Sequence, residues 1–195
     1  MNLEINDALI PGTKLKKNDM GNVTGLEFLS KVFYISEGVM LSQIREVSGI
    51  DGSTLQNWTK RGWVANARLK KYNIDQVAHI LIINMLRSCI QLDHIAFLLQ
   101  YINGKIDDAS DDIIRDSVLY DYICRILETL TRKDVATKAS ITEVIRDQIS
   151  DYTEAMPGAR DRLANALEII VVAYYAALIK RRSDEMLTSL MSTSF

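Results

Sequence analysis

The stretch that decides the fold is Leu41-Ser-Gln-Ile-Arg-Glu-Val-Ser-Gly-Ile-Asp-Gly-Ser-Thr-Leu-Gln-Asn-Trp-Thr-Lys-Arg-Gly-Trp63. Leu41, Ile44 and Val47 fall at helical spacing and mark a short helix that Ser48-Gly49 ends. Asp51 is placed to cap a second helix running to about Arg61, with Gly62 as its stop. Leu55 and Trp58 share one face of that helix and would pack back on the first. The opposite face keeps Ser53, Gln56, Asn57, Lys60 and Arg61. Trp63-Val64 and Lys70-Lys71-Tyr72 then predict the two strands of a small β-hairpin.

Helix, glycine turn, helix, glycine and hairpin is the order of a winged helix-turn-helix, in which the first helix holds the second rigidly enough to enter a major groove. Asn and Gln amides suit adenine, while Lys and Arg suit guanine or phosphate. Arg68, Lys70 and Lys71 put three cations on the wing, next to Tyr72 at its exit. The expected contact set is therefore Ser53, Gln56, Asn57, Lys60 and Arg61 on the second helix, with Arg68, Lys70, Lys71 and Tyr72 on the wing.

The segment resembles the MerR-type helix-turn-helix, in Val47-Ser-Gly-Ile50, in Thr54-Leu-Gln-Asn-Trp58, in the closing Gly62 and in Lys71-Tyr72-Asn73-Ile74-Asp75-Gln76. The likeness covers about 41–101, with the helix pair after the wing, and implies Thr54, Gln56 and Asn57 as recognition-helix contacts and Arg68, Lys70 and Lys71 as wing contacts. Gln56 and Asn57 stand where that family carries an Arg-Tyr pair, and further helices stand where it has one long dimerisation helix. The whole chain is more similar to a bacterial family labelled a domain of unknown function with a MerR-like head, in Gln56-Asn-Trp58, Lys70-Lys-Tyr72 and Ile82-Ile-Asn-Met-Leu-Arg87. This resemblance implies transcription regulation and brings no effector with it.

Outward from this stretch, the fold class is mainly α. Residues 1–24 read as a flexible arm, because Pro11-Gly12, Asn18-Asp19 and Gly21-Asn22 are loop chemistry. A helix starts after Thr24 and stops near Gly38. Asn73 and Gln76 predict a capping box opening a helix to about Cys89. Helices follow over 92–102, 111–132 (with Ser110 as cap), 138–154 and, after Met156-Pro157-Gly158, from Ala159 to about Leu187. Residues 25–102 would form the head, and 103–195 a helical domain for dimerisation or effector binding.

Charge supports the division. The net charge is −2 for 195 residues. Residues 31–87 hold eight basic and four acidic side chains, whereas 88–195 hold twelve and seventeen. A near-neutral mean thus hides a basic block, the electrostatic footprint of a nucleic-acid binder. A single head offers only about 600–1,000 Å² of contact, so a homodimer on a palindromic site is expected. Leu167, Ile170, Val171, Tyr174 and Leu178 follow helical spacing on the last helix and are its predicted dimerisation face.

Other classes find little support. There is no Gly-rich phosphate loop, GxSxG or HExxH, so no enzyme is expected. Cys89 and Cys124 lack zinc spacing and read as reduced, buried thiols. No cofactor or metal is implied, and Asp107–Asp112 lacks the calcium-loop pattern. Ile169–Ile179, the longest uncharged apolar run, is shorter than the roughly 20 residues that span a bilayer, so no membrane is expected. The expected protein is a cytoplasmic regulator that binds double-stranded DNA as a homodimer, with room for a small-molecule effector. The alternative is a helical protein-interaction or adaptor module without DNA binding.

Overall fold

Thr24 precedes α1 (Gly25–Val32), which ends six residues before the predicted stop at Gly38. Its N-terminus is capped from far along the chain. The Thr24 hydroxyl donates to Glu128 Oε1 (2.5 Å), and Asp121 Oδ1 accepts the Leu26 N–H at 2.8 Å. Gly25 has φ +58°, and a Cβ there would lie 2.2 Å from that same carboxylate oxygen, so only glycine fits. The computed structural model describes residues 8–34, 38–106, 110–133 and 138–193. Within them the protein is mainly helical, with one two-stranded antiparallel sheet.

Strand β1 (Val39–Met40) leads directly into α2 (Leu41–Ser48), and a three-residue turn leads to α3 (Gly52–Lys60). Gly49 ends α2 in the left-handed region, its N–H donating to the Arg45 carbonyl at 2.9 Å. Asp51 caps α3 by accepting the Thr54 N–H at 2.8 Å, as the sequence predicts. Ile44, Ile50, Leu55 and Trp58 are buried and form the expected inner face, with Val47 half-buried against it.

The predicted hairpin pairs differently. Strand β2 (Lys71–Tyr72) lies against β1, with Val39 opposite Tyr72 and Met40 opposite Lys71. Val39 and Tyr72 face the core while Met40 and Lys71 face water, the period-2 pattern of a half-buried ribbon. Trp63-Val64 does not supply the second strand. Val64 is in the core, and the Trp63 carbonyl is bound by His79 Nε2 at 3.0 Å.

Helix α4 (Ile74–Leu86) opens with the predicted capping box: the Asn73 N–H donates to Gln76 Oε1 and the Gln76 N–H to Asn73 Oδ1, both at 2.9 Å. It is apolar nearly all round and forms the centre of the molecule, packed by α6 (Asp116–Lys133) and α8 (Ala159–Thr193). Helix α5 (Leu92–Asn103) lies on α8, and α7 (Lys138–Gln148) lies against both α6 and α8. Helix α6 starts later than the predicted 111, because its cap comes from α4. Asp75 accepts the Ser117 N–H at 3.0 Å and the Arg115 guanidinium at 2.9 Å. Burial works against that carboxylate, but the Ser117 and Arg115 bonds outweigh it and hold the Asp75 pKa below its ordinary value. Residues 107–109 of the acidic cluster lie outside the described residues. Helix α7 ends at Gln148 rather than 154, and Tyr152 turns in to donate its hydroxyl to the Ile113 carbonyl at 2.8 Å.

Residues 8–24, expected as an arm, form a packed strap. Ile10 is fully buried, Tyr120 donates to the Pro11 carbonyl at 2.7 Å, and Asn84 Nδ2 donates to the Gly12 carbonyl at 2.8 Å. A Cβ on Gly12 would sit 2.2 Å from the Leu81 carbonyl oxygen, so the strap lies directly on α4. Residues 1–7 lie outside the described residues. The expected boundary at 102–103 coincides with no break in the core, since α1 and α4 bury their apolar faces against α6. Cys124 is buried, and burial pushes its thiol up to about 12. Cys89 is exposed, contrary to expectation, because it follows the end of α4.

Candidate nucleic-acid interface

Helix α3 presents a polar outer face because its apolar residues are fixed inward. Leu55 and Trp58 are buried, and the Arg87 guanidinium covers the Trp58 ring at 5.6 Å. Gln56, Asn57 and Lys60 on α3, and Arg61 after it, project into solvent. The Arg61 guanidinium stacks over the Trp63 ring at 5.0 Å, which holds its planar fork in place.

Ser53 and Thr54 are differently engaged. Both hydroxyls donate to the Asp51 carboxylate, and these bonds with the Thr54 N–H hold Asp51 far below the usual carboxylate range. Asp51 therefore stays ionised over the N-terminus of α3. That end of the helix is not open to an incoming anion, and the positive side of the face is its C-terminal end, Lys60 and Arg61.

The 61–71 segment is fastened to α4. Gln76 Nε2 donates to the Asn66 carbonyl at 2.9 Å, and His79 binds the Trp63 carbonyl. The other nitrogen of His79, Nδ1, lies 2.9 Å from Asp116 Oδ2. Both ring nitrogens thus face oxygen acceptors, which suits the doubly protonated imidazolium. Burial opposes that charge, but Asp116 and the Trp63 carbonyl outweigh it and raise the His79 pKa. Asp116 also accepts from Asn103 Nδ2 at 3.3 Å, so one polar chain ties the segment to α4, α5 and α6.

At the tip, Arg68 and Lys71 exchange two backbone hydrogen bonds of 2.9 Å, and the central residues Leu69 and Lys70 have φ of +50° and +63°. This is a two-residue turn of the type I′ kind, which ordinarily takes Asn-Gly. Each non-glycine residue held there costs on the order of 1–3 kcal/mol. Arg68, Leu69, Lys70 and Lys71 are all exposed. Tyr72 is not: it is 7% exposed and packs in the core as the inward residue of β2, so it leaves the predicted contact set.

The predicted dimerisation face is buried within the chain itself. Leu167, Ile170 and Val171 are fully buried and Tyr174 and Leu178 nearly so, against α4, α5, α6 and α7. A second apolar line runs along the other side of α8. Ile169, Val172, Ala176, Ile179, Ser183, Met186 and Leu190 alternate spacings of three and four. Ile169, Val172, Ile179, Met186 and Leu190 are 48% to 63% exposed. From Ile179 to Ser192 every residue is exposed, about 20 Å of helix. Helix α8 is also long and apolar enough to cross a membrane by length and composition, and 44% of its most apolar window is buried in the protein. The eleven-residue run Ile169–Ile179 counts only uncharged residues, whereas the helix continues past charges on both sides.

Gln56, Asn57, Lys60, Arg61, Arg68, Lys70 and Lys71 are exposed, as the sequence reading requires of a contact surface. That reading missed His79, Asp116 and the turn at Leu69-Lys70. His79 carried no signal of its own, since its partners lie 16 and 37 residues away.

The chain is similar to the "Uncharacterized protein YkrK" of Bacillus subtilis (strain 168), 30% identical over an alignment 118 residues long that covers 58% of this chain and 51% of that protein. It therefore spans about half the length of that relative. No solved structure matches. Residues 19–123, from the strap into α6, match a family described as "Domain of unknown function (DUF1836)". That match takes in α1 to α5 and more than half of the sequence, and the chain belongs to this family.

Proposed function

We propose that the protein is a transcription regulator that binds double-stranded DNA through a MerR-like winged helix-turn-helix. Helix α3 would lie in a major groove, with Gln56 and Asn57 toward base edges and Lys60 and Arg61 toward phosphates. The 61–71 segment would act as the wing, with Arg68, Lys70 and Lys71 on the adjacent backbone. One observation carries the reading. Lys60, Arg61, Arg68, Lys70 and Lys71, five of the eight basic side chains of residues 31–87, are all exposed on or just after a helix whose supporting side chains, Ile44, Ile50, Leu55 and Trp58, are locked in the core. Ser53 and Thr54 contribute through the Asp51 cap rather than by direct contact.

The regulator is proposed to act in the cytoplasm as a homodimer without catalytic activity. The exposed line from Ile169 to Leu190 is the proposed contact with a second copy. A strict three-four alternation is the seam of a two-stranded coiled coil, whereas a helix facing lipid needs no such register. A cleft of about 290 Å³ between the strap and α8, with Lys180, Arg181 and Asp184 at its rim, offers room for a small-molecule effector.

The test is binding to random-sequence 30-base-pair duplexes as salt is raised. Measurable binding with a negative log–log salt slope is expected, and Lys70→Ala or Lys71→Ala should each reduce the slope by about one. Early elution from duplex at low salt would instead favour an adaptor that contacts protein.

A further inference from the structure

Leu69 breaks two local rules at one position. It holds φ +50° in a turn that glycine or asparagine would occupy without strain. It is also 91% exposed, the highest value among the described large apolar side chains. Neither feature helps the free chain, since Asn-Gly at 69–70 would relieve the backbone and remove the apolar surface together. An outlier of this kind marks a site where something else meets the residue.

The surroundings say what that is. Arg68, Lys70 and Lys71 flank Leu69 within one turn, so the partner is a polyanion with an apolar recess. The mount is stiff: the two backbone bonds between Arg68 and Lys71 close the turn, Gln76 and His79 hold its near side, and β1 pairs with its far side. A stiff two-residue tip enters a slot that no helix can. The minor groove of B-DNA is about 6 Å wide, whereas a helix with its side chains measures about 10 Å or more. Apolar side chains pushed into that groove part the base stack and kink the duplex.

We infer that Leu69 is an apolar wedge that enters the minor groove and opens a base step beside the groove read by α3, while Arg68, Lys70 and Lys71 hold the flanking phosphates. The inference rests on the DNA-binding reading above and adds to it a second source of specificity. Pyrimidine–purine steps, TA and CA/TG, unstack most readily, so the protein selects them at a position where it makes no base hydrogen bond.

The experiment uses the full chain and 30-base-pair duplexes recovered from a random pool by the wild-type protein, labelled for end-to-end energy transfer and carrying 2-aminopurine at the step beside the α3 site. Wild type should bend the duplex and brighten the 2-aminopurine. Leu69→Asn should keep the helical circular-dichroism signal and an undiminished Tm, bind about tenfold more weakly, and lose both the bend and the brightening. Its salt slope should be unchanged, because no cation has been removed. Leu69→Met should retain the bend. Leu69→Asn with wild-type affinity and bend overturns the wedge while leaving DNA binding intact. Wild type that recovers no duplex overturns the DNA reading and the wedge with it. Binding to phosphatidylserine vesicles that Leu69→Asn abolishes, with duplex binding unaffected, overturns the wedge in favour of a membrane contact.

Discussion

Helices α3 and α8 both have one face locked in the core, yet they show water opposite chemistry. The outer face of α3 carries two amides and a lysine, with Arg61 just beyond; the outer face of α8 carries Ile169, Val172, Ile179, Met186 and Leu190. An amphipathic helix needs only its inner face to fold, so its outer face is free to answer a partner. A polar, basic outer face suits a hydrated polyanion, and an apolar outer face suits another apolar surface. The proposed function gives the two helices different partners accordingly, DNA for α3 and a second copy for α8.

The comparison breaks first at the shared inner faces. Trp58→Ala should cost about 3–5 kcal/mol and Leu167→Ala about 2–5 kcal/mol in denaturant unfolding, because each opens a cavity in a closed core. Either substitution should remove all functions together. The outer faces should separate what the inner faces share. Met186→Glu with Leu190→Glu should convert a dimer to a monomer in sedimentation velocity while leaving the unfolding midpoint of the monomer nearly unchanged. A monomeric wild type would detach α8 from the proposed partner.

A finer test concerns the fastening of the 61–71 segment. The folded pKa of His79 is raised, so the imidazolium is favoured in the native state. Its stabilisation is fully present below the ordinary imidazole value, about 6.5, and is lost as pH rises through the raised folded value. Wild-type Tm should therefore fall across that window, and His79→Gln should flatten the fall. An identical slope in the variant would remove His79 from the link between the segment and α6. The smallest effect expected is at the α3 surface, where Gln56→Ala or Asn57→Ala should leave Tm unchanged and alter sequence preference by about 1–3 kcal/mol at one base pair.

Local chemistry made much of this legible from the sequence. Asp51 and Thr54 are three residues apart, Asn73 and Gln76 likewise, and Gly49 ends α2 by its own backbone freedom; each signal and its partner share one helical turn. What escaped was long-range. Two-residue strands at 39–40 and 71–72 have no periodicity to read, and their pairing is settled by burial of Val39 and Tyr72. The cap of α1 comes from Asp121, 95 residues beyond Leu26, which no local pattern announces. The apolar line of Leu167 to Leu178 was visible, but α8 is apolar on two sides, and spacing alone does not say which side the chain buries for itself. Leu69 escaped for the opposite reason: its turn contradicts the local signal for its own type.

The most direct test of the central claim is selection of duplexes from a random DNA pool by the full-length protein, followed by sequencing of the bound fraction. Two inverted half-sites at a fixed spacing should emerge, and the same selection with Asn57→Ala should lose preference at defined base pairs within each half-site. A bound pool as random as the input, or one that Asn57→Ala leaves unchanged, would contradict the assignment of α3 to the major groove.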